Sequence, residues 1–377
     1  MTHRTGAAIV AVVCALGASA AGQKHTTPPP STTPTPPSDA PKWNPRAAAA
    51  SLDARMEWWL HWQGSQRDHD TACVSCHTAA PYALARPALH AATGDSASTN
   101  AETGLYANVV KRVTMWREVE PFYPDQTRGL PKSSESRGTE AVLNALVLSA
   151  RDARGGAVTA ETRQAFANLW ALQFKAGELK GAWAWLNFHY EPWESNDSAY
   201  FGAALAAMAV GLAPGYAASP EIHEQVALLR DYIQRGVEKT SLFNRAMALW
   251  AFHRMPDRLG AVEREAIVDA AIESQGPDGG WSMAKLGSWK RGDGTAIDTG
   301  ADGYATAVMT LALRSAATSR ADAAAVRGAA WLMAHQDPAT GGWTATSLNK
   351  QRDPASDAAK FMSDAATAYA SLALATR

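Results

Sequence analysis

Cysteine is almost absent from this chain of 377 residues: there are three, Cys14, Cys73 and Cys76. That excludes a fold stapled by several disulfides. Charge of either sign is also scarce and nearly balanced, with 19% charged residues and a formal net charge of -1. This balance argues against nucleic acid as a partner and against electrostatic docking on a membrane. Beyond the first residues there is no uninterrupted apolar run long enough to make a convincing membrane span, so stable membrane insertion is not expected. Tryptophan, by contrast, is abundant at 14 residues and needs a structural reason.

The two ends of the first 45 residues differ in kind. Residues 1–21 read as a signal peptide: His3 and Arg4 are basic, Gly6 to Ala18 is small and apolar, and Ala18-Ser19-Ala20 is a cleavage site. Cys14 lies within the apolar stretch and would leave with it. Residues 22–45 are rich in Pro and Thr, cannot bury a core, and are expected to form a disordered linker. One folded domain, 46–377, should follow, and the expected location is the periplasm or the exterior of a bacterial cell.

Both remaining cysteines stand in Cys73-Val74-Ser75-Cys76-His77. C-x-x-C-H is the attachment signature of c-type haem. The two thiols, three positions apart, become thioethers, and the next residue becomes the proximal iron ligand. One covalent haem c is the expected cofactor, on Cys73 and Cys76, with His77 on the iron. Export fits, because haem is joined to such chains outside the bacterial cytoplasm. Two alternatives remain open on sequence: a plain disulfide between the cysteines, and a metal site. Tetrahedral zinc wants further ligands, and no second cysteine pair or H-x3-H follows.

The folded part repeats. Leu172-Gln173 leads to Gly181-Ala182-Trp183; Gln275-Gly276-Pro277-Asp278-Gly279-Gly280-Trp281 is the second copy; Gln336 leads to Gly341-Gly342-Trp343. Each copy follows an amphipathic stretch and precedes an Ala-rich, almost wholly apolar one. Amphipathic helices are expected near 47–63, 103–118, 160–175, 221–236, 262–274 and 322–336, and apolar helices near 78–91, 138–150, 197–211, 241–253, 302–314 and 363–375. An apolar helix is buried and one with a charged face meets water. About six hairpins that alternate in this way predict an all-α fold, an α/α toroid of inner and outer rings. An open solenoid would instead show two amphipathic helices per repeat.

The Gln, Gly-turn and Trp units resemble the QW motifs of the squalene–hopene cyclase family, whose toroid is shared with protein prenyltransferases and complement thioester domains. The resemblance implies that Gln275, Trp281, Gln336 and Trp343, and more loosely Gln173 and Trp183, brace the outer helices. It implies less about chemistry. Those cyclases protonate an alkene with the central Asp of a D-x-D-D motif, and the matching stretch here is Asp302-Gly303-Tyr304-Ala305. A phenol with an ordinary pKa of about 10 does not replace that acid. No counterpart of the prenyltransferase zinc triad is found.

Alternating rings put the outer-to-inner connections, 64–77, 119–137, 176–196, 275–301 and 337–362, at one end of the barrel. Loops of such length are usually functional, and the haem motif closes the first. The third carries Trp183, Trp185, His189 and Trp193, a candidate wall of the haem pocket. Candidates for the distal ligand are His189, Met115 and Met283, with His61, His69 and Met362 behind them; an open distal position would favour small-molecule chemistry. Candidate pocket residues are Arg137 (for a haem propionate), Glu140, Asn244, Arg245, Asp302 and Tyr304, with Ser136 or Thr139 expected to cap a helix that Glu140 begins. The expected role is redox or electron transfer with a partner protein or a small molecule. The alternatives are a haem-independent toroid enzyme, cyclase-like or polysaccharide-lyase-like, and a disulfide-bonded binding module.

Overall fold

The computed structural model describes residues 42–125, 131–255 and 259–376. The signal peptide and most of the linker lie outside the described residues. Twelve α-helices are present among the described residues. Six form an outer set: α1 (Pro45–His61), α3 (Asn100–Thr114), α5 (Ala160–Ala171), α7 (His223–Gly236), α9 (Ala261–Ser274) and α11 (Ser319–Ala334). Six form an inner set: α2 (Ala79–Thr93), α4 (Ser133–Gly155), α6 (Ser198–Leu212), α8 (Leu242–Phe252), α10 (Gly303–Ala316) and α12 (Asp357–Ala375). A two-residue antiparallel pair, β1 (Gln66–Arg67) with β2 (Thr71–Ala72), interrupts the first long loop.

The inner helices pack in a closed circuit. α2 packs on α4, α4 on α6, α6 on α8, α8 on α10, α10 on α12, and α12 back on α2. Around them α5 lies on α4, α7 on α6, α9 on α8, α11 on α10, and α1 against both α12 and α2. Composition explains the sorting. Along α6 every residue from Tyr200 to Val210 is buried, whereas α7 buries only Leu229 and Ile233. No helix of the described residues is long and apolar enough to cross a membrane.

The Gln and Trp units fasten the outer helices to one another. Gln173 Nε2 donates to the Gly181 carbonyl at 3.0 Å and to the Gln225 carbonyl on α7 at 2.9 Å. Gln275 Nε2 reaches the Gly279 carbonyl at 2.8 Å and the Ala324 carbonyl on α11 at 3.0 Å. Gln336 Nε2 reaches the Gly341 carbonyl at 2.7 Å and the Asn44 carbonyl at 3.0 Å. The Trp of each unit turns back on its own outer helix: Trp183, Trp281 and Trp343 donate to the carbonyls of Leu169, Ala271 and Leu332.

Three boundaries differ from the sequence reading. α4 begins at Ser133, so Ser136 and Thr139 are interior residues and Lys132 takes the cap position. The reason is tertiary: Ser136 Oγ bonds the Tyr123 carbonyl, and Thr139 Oγ1 accepts from the Leu186 amide, so neither hydroxyl serves its own helix end. α12 begins at Asp357 behind a Ser356 cap rather than near 363. Trp43 and Asn44 belong to the folded body rather than the linker, because Trp43 packs on Trp343 at 6.4 Å and Asn44 caps α1.

Candidate functional site

The long loops meet at one end of the ring. Lys132 of the second donates to the Asn187 carbonyl of the third at 2.6 Å, and Asn349 of the last exchanges bonds with the Glu191 backbone. The C-x-x-C-H segment is clamped among them. Trp59 Nε1 on α1 donates to the Cys73 carbonyl at 2.7 Å. Asn108 on α3 exchanges two bonds with the Ala72 backbone, at 2.7 and 3.0 Å. Arg112, wholly buried, donates to Thr71 Oγ1 at 2.6 Å and to Glu140 at 2.5 Å. Ser75 Oγ accepts from the Thr78 and Ala79 amides, which starts α2 directly after the motif.

His77 stands among aromatic rings. Phe361 stacks on its face with centroids 4.0 Å apart and planes 20° apart; Trp59 meets it edge-on at 5.0 Å; Trp193 lies at 5.6 Å. Trp58 and Trp62 extend the cluster. Phe361 covers one face of the ring, and Trp59 and Trp193 pack around it. At its edge, Nδ1 lies 2.9 Å from Thr78 Oγ1. Thr78 Oγ1 donates to Asp364 Oδ2 at 2.8 Å, and Arg55 forks both Asp364 oxygens at 2.7 and 3.0 Å. Burial, aided by the Arg55 charge, pushes the imidazole down to about 3, so it is neutral at neutral pH. Burial raises the Asp364 carboxyl while Arg55 and Thr78 pull the other way. Cys73 and Cys76 are free, buried thiols. Burial pushes Cys73 up to about 12 and raises Cys76 well above the usual range.

Behind His77 the barrel is filled with rings. Trp193 Nε1 donates to the Tyr304 hydroxyl at 2.8 Å; Tyr304 stacks on Tyr369 at 5.7 Å and meets Phe243 at 5.6 Å; Phe243 meets Phe201 at 5.9 Å. Apart from Trp193 of the third loop, these side chains come from α6, α8, α10 and α12, and all are buried. Asp302 caps α10: Oδ1 accepts from the Tyr304 and Ala305 amides and Oδ2 from the Met283 amide. Burial pushes its carboxyl up to about 6 against those three bonds.

The other sequence candidates are scattered. Trp185 is buried, donating to the Trp193 carbonyl at 2.7 Å, and supports the third loop from beneath. His189 is exposed at a turn with φ 61°, its amide bonded to Asn187 Oδ1. Met115 caps α3, and Met283 is buried beside Asp302. His61, exposed at the end of α1, is bonded to the Glu57 carbonyl of that helix; His69 is exposed and bonded to its neighbour Asp68; and Met362 is buried next to Phe361. Arg137 lies over Trp116, donates to the Val119 carbonyl and sits 3.6 Å from Glu140. Glu140 lies within α4 rather than beginning it. Asn244 bonds Thr240 and the Asp197 carbonyl at the start of α8, beside a half-buried Arg245. Arg55, Trp59, Thr78, Phe361 and Asp364 were not singled out by sequence. Only Thr78, directly after the motif, carried a positional signal.

In residue type and spacing the C-x-x-C-H segment fits a covalent c-type haem, although both thiols are buried. Two unpaired thiols and an imidazole stand at the required spacing, and among the described residues only Nδ1 of that imidazole is hydrogen-bonded. A cleft of about 940 Å³ has Arg55 and Asp364 in its wall and Arg291, Lys350, Arg352 and Lys360 around it; Cys73, Cys76 and His77 do not line it, and Asp364 links it to them through Thr78. Those cations suit carboxylates. Among the described residues, no three His, Cys, Asp or Glu side chains converge as a four-ligand metal ion needs.

No known family profile matches the chain, and no curated protein is similar to it. Among solved structures it is similar to the type II terpene cyclase MstE from Scytonema, at 13% identity and a TM-score of 0.45, over 88% of this chain and 98% of that one. A variant of that cyclase in complex with geranylgeranyl dihydroxybenzoate is similar at 14% identity and a TM-score of 0.45, over 88% of this chain and 98% of that one.

Proposed function

We propose that this chain is an exported c-type haem protein with a redox role, built on a two-ring helical barrel. The observation that carries the reading is the state of His77. Directly after two free thiols at C-x-x-C spacing, its ring is stacked on Phe361, met by Trp59 and tied at Nδ1, which supports Nε2 as the nitrogen for iron. Cys73 and Cys76 would hold the group covalently and His77 would be its proximal ligand. When bound, haem supplies one-electron exchange at iron. The chain's own part is to orient His77, to shield that face with Trp59, Trp193 and Phe361, and to offer cations to the propionates along the cleft. The periplasmic or secreted location, and exchange with a partner protein or a small molecule, belong to this proposal.

A haem-independent enzyme is the second reading. The 940 Å³ cleft, with charged residues converging on it, is the observation in its favour. Cyclisation begun by proton donation is poorly served by Asp302. Both its oxygens accept from backbone amides, and those three bonds favour the carboxylate and oppose the rise that burial causes.

Expression in hosts with and without cytochrome c maturation separates the readings. A pyridine haemochrome spectrum of denatured, washed protein should show covalent haem in the first host, with loss of that signal in the Cys73→Ala, Cys76→Ala double variant. A colourless chain from the maturing host would defeat the proposal and leave the cleft as the place to look.

A further inference from the structure

We infer that Thr78 and Asp364, backed by Arg55, are positioning residues that fix which nitrogen of His77 carries its proton and thereby leave the lone pair on Nε2. The inference deepens the proposed function, on which its consequence at iron rests; the tautomer itself does not need haem.

The argument is a count of protons. A guanidinium only donates, and a carboxylate held by its fork only accepts. Arg55 Nε lies 2.7 Å from Asp364 Oδ1 and its Nη2 3.0 Å from Oδ2. Asp364 is 5% exposed, so water offers it little else. Thr78 has one hydroxyl proton, and the carboxylate 2.8 Å away takes it. What Thr78 Oγ1 then offers His77 is a lone pair. At 2.9 Å, Nδ1 must be the donor. A neutral imidazole has a single N–H, so the proton on Nδ1 leaves the lone pair on Nε2. Arg55 is anchored in turn by its guanidinium, 4.1 Å from the centroid of the Trp58 ring. The relay therefore runs from α1 through α12 to Thr78, the N-cap position of α2, and it ties His77 to the point where the inner ring closes.

The consequence follows from ligand basicity. An Nδ1–H that donates toward a carboxylate makes the imidazole a stronger donor at Nε2. A stronger axial donor favours the ferric state and lowers the reduction potential. Sequence carries no sign of this, because Asp364 stands 286 positions from Thr78.

The test has two arms on the full chain. In haem-free protein with ¹⁵N-labelled histidine, NMR should find His77 as the Nδ1–H tautomer. Thr78→Val, nearly equal in shape but without the hydroxyl, should shift it toward Nε2–H, and Thr78→Ser should keep it. In the haem-loaded protein, Thr78→Val should raise the midpoint potential, with covalent attachment intact, and Thr78→Ser should restore it. An Nε2–H tautomer in the wild type, or equal potentials for wild type and Thr78→Val, would overturn the relay. If the chain takes up no haem, the proposed function falls, while Nδ1–H in the wild type and its loss in Thr78→Val still uphold the relay.

Discussion

Gln336 and Asn44, 292 positions apart, exchange hydrogen bonds: the Asn44 amide donates to Oε1 at 2.6 Å and Nε2 returns to the Asn44 carbonyl at 3.0 Å. Asn44 also caps α1 through a bond from the Ala47 amide. One glutamine thus ties the end of α11 to the first turn of α1. Gln173 and Gln275 make the same kind of tie between helices much nearer in the chain. The closing tie constrains the longest loop of chain.

Gln336→Ala should therefore cost about 1–3 kcal/mol, the range for stranding bonded backbone groups. Amide exchange should quicken first in α1 and α11. Urea unfolding with hydrogen exchange measures both. An unchanged midpoint with unchanged α1 protection would show that the inner ring alone closes the barrel.

Arg112 and Glu140 form an ion pair in which both side chains are inaccessible to solvent. Burial alone raises the Glu140 carboxyl, and Arg112 opposes it. Arg112→Ala would strand a buried carboxylate and loosen Thr71, just ahead of Cys73. The expected loss is about 3–5 kcal/mol. The Arg112→Met, Glu140→Leu double variant should recover much of it in a denaturant titration. If the double variant is as unstable as the single, the pair contributes through its other bonds rather than its charges.

The alternation of buried and half-exposed helices was legible because burial is written in composition. The Ala-rich run from Ser198 to Leu212 has no polar face to offer water, so its place in the inner ring could be read directly. The gathering of long loops at one end followed from that alternation. Helix starts were less legible where a hydroxyl works across the fold. Ser136 and Thr139 look like caps in sequence, yet they serve the second and third loops. The surroundings of His77 were the least legible. Trp59, Phe361 and Asp364 come from α1 and α12, and only closure of the ring brings those helices together.

Asp302 should leave a pH signature. Burial pushes its carboxyl up to about 6 from an ordinary value of 3.8, so the folded chain binds a proton that the unfolded chain releases between those values. A raised acid gives its full stabilising share below 3.8 and loses it as pH rises through about 6. The stability of wild type minus that of Asp302→Asn should therefore fall between pH 4 and pH 7, by urea titration of haem-free protein. A difference that stays flat would mean that the three amide bonds at the α10 cap cancel the effect of burial.

Trp193 joins the loop to both sides of the site. Its Nε1 donates to the Tyr304 hydroxyl at 2.8 Å, its carbonyl accepts from Trp185, and its ring lies 5.6 Å from that of His77. Trp193→Phe keeps a ring over His77 but strands the Tyr304 hydroxyl in a wholly buried place. It should cost about 1–3 kcal/mol, with little change at the haem. Trp193→Ala removes the ring as well. That should cost about 3–5 kcal/mol and open the His77 face to water. If the proposed haem is bound, water near its iron would favour the ferric charge, so the reduction potential should fall in the Ala variant while covalent attachment persists. Potentiometry of both haem-loaded variants, beside their unfolding curves, separates the two effects. Equal potentials in wild type and Trp193→Ala would mean that Trp193 supports the barrel and does not shield the haem.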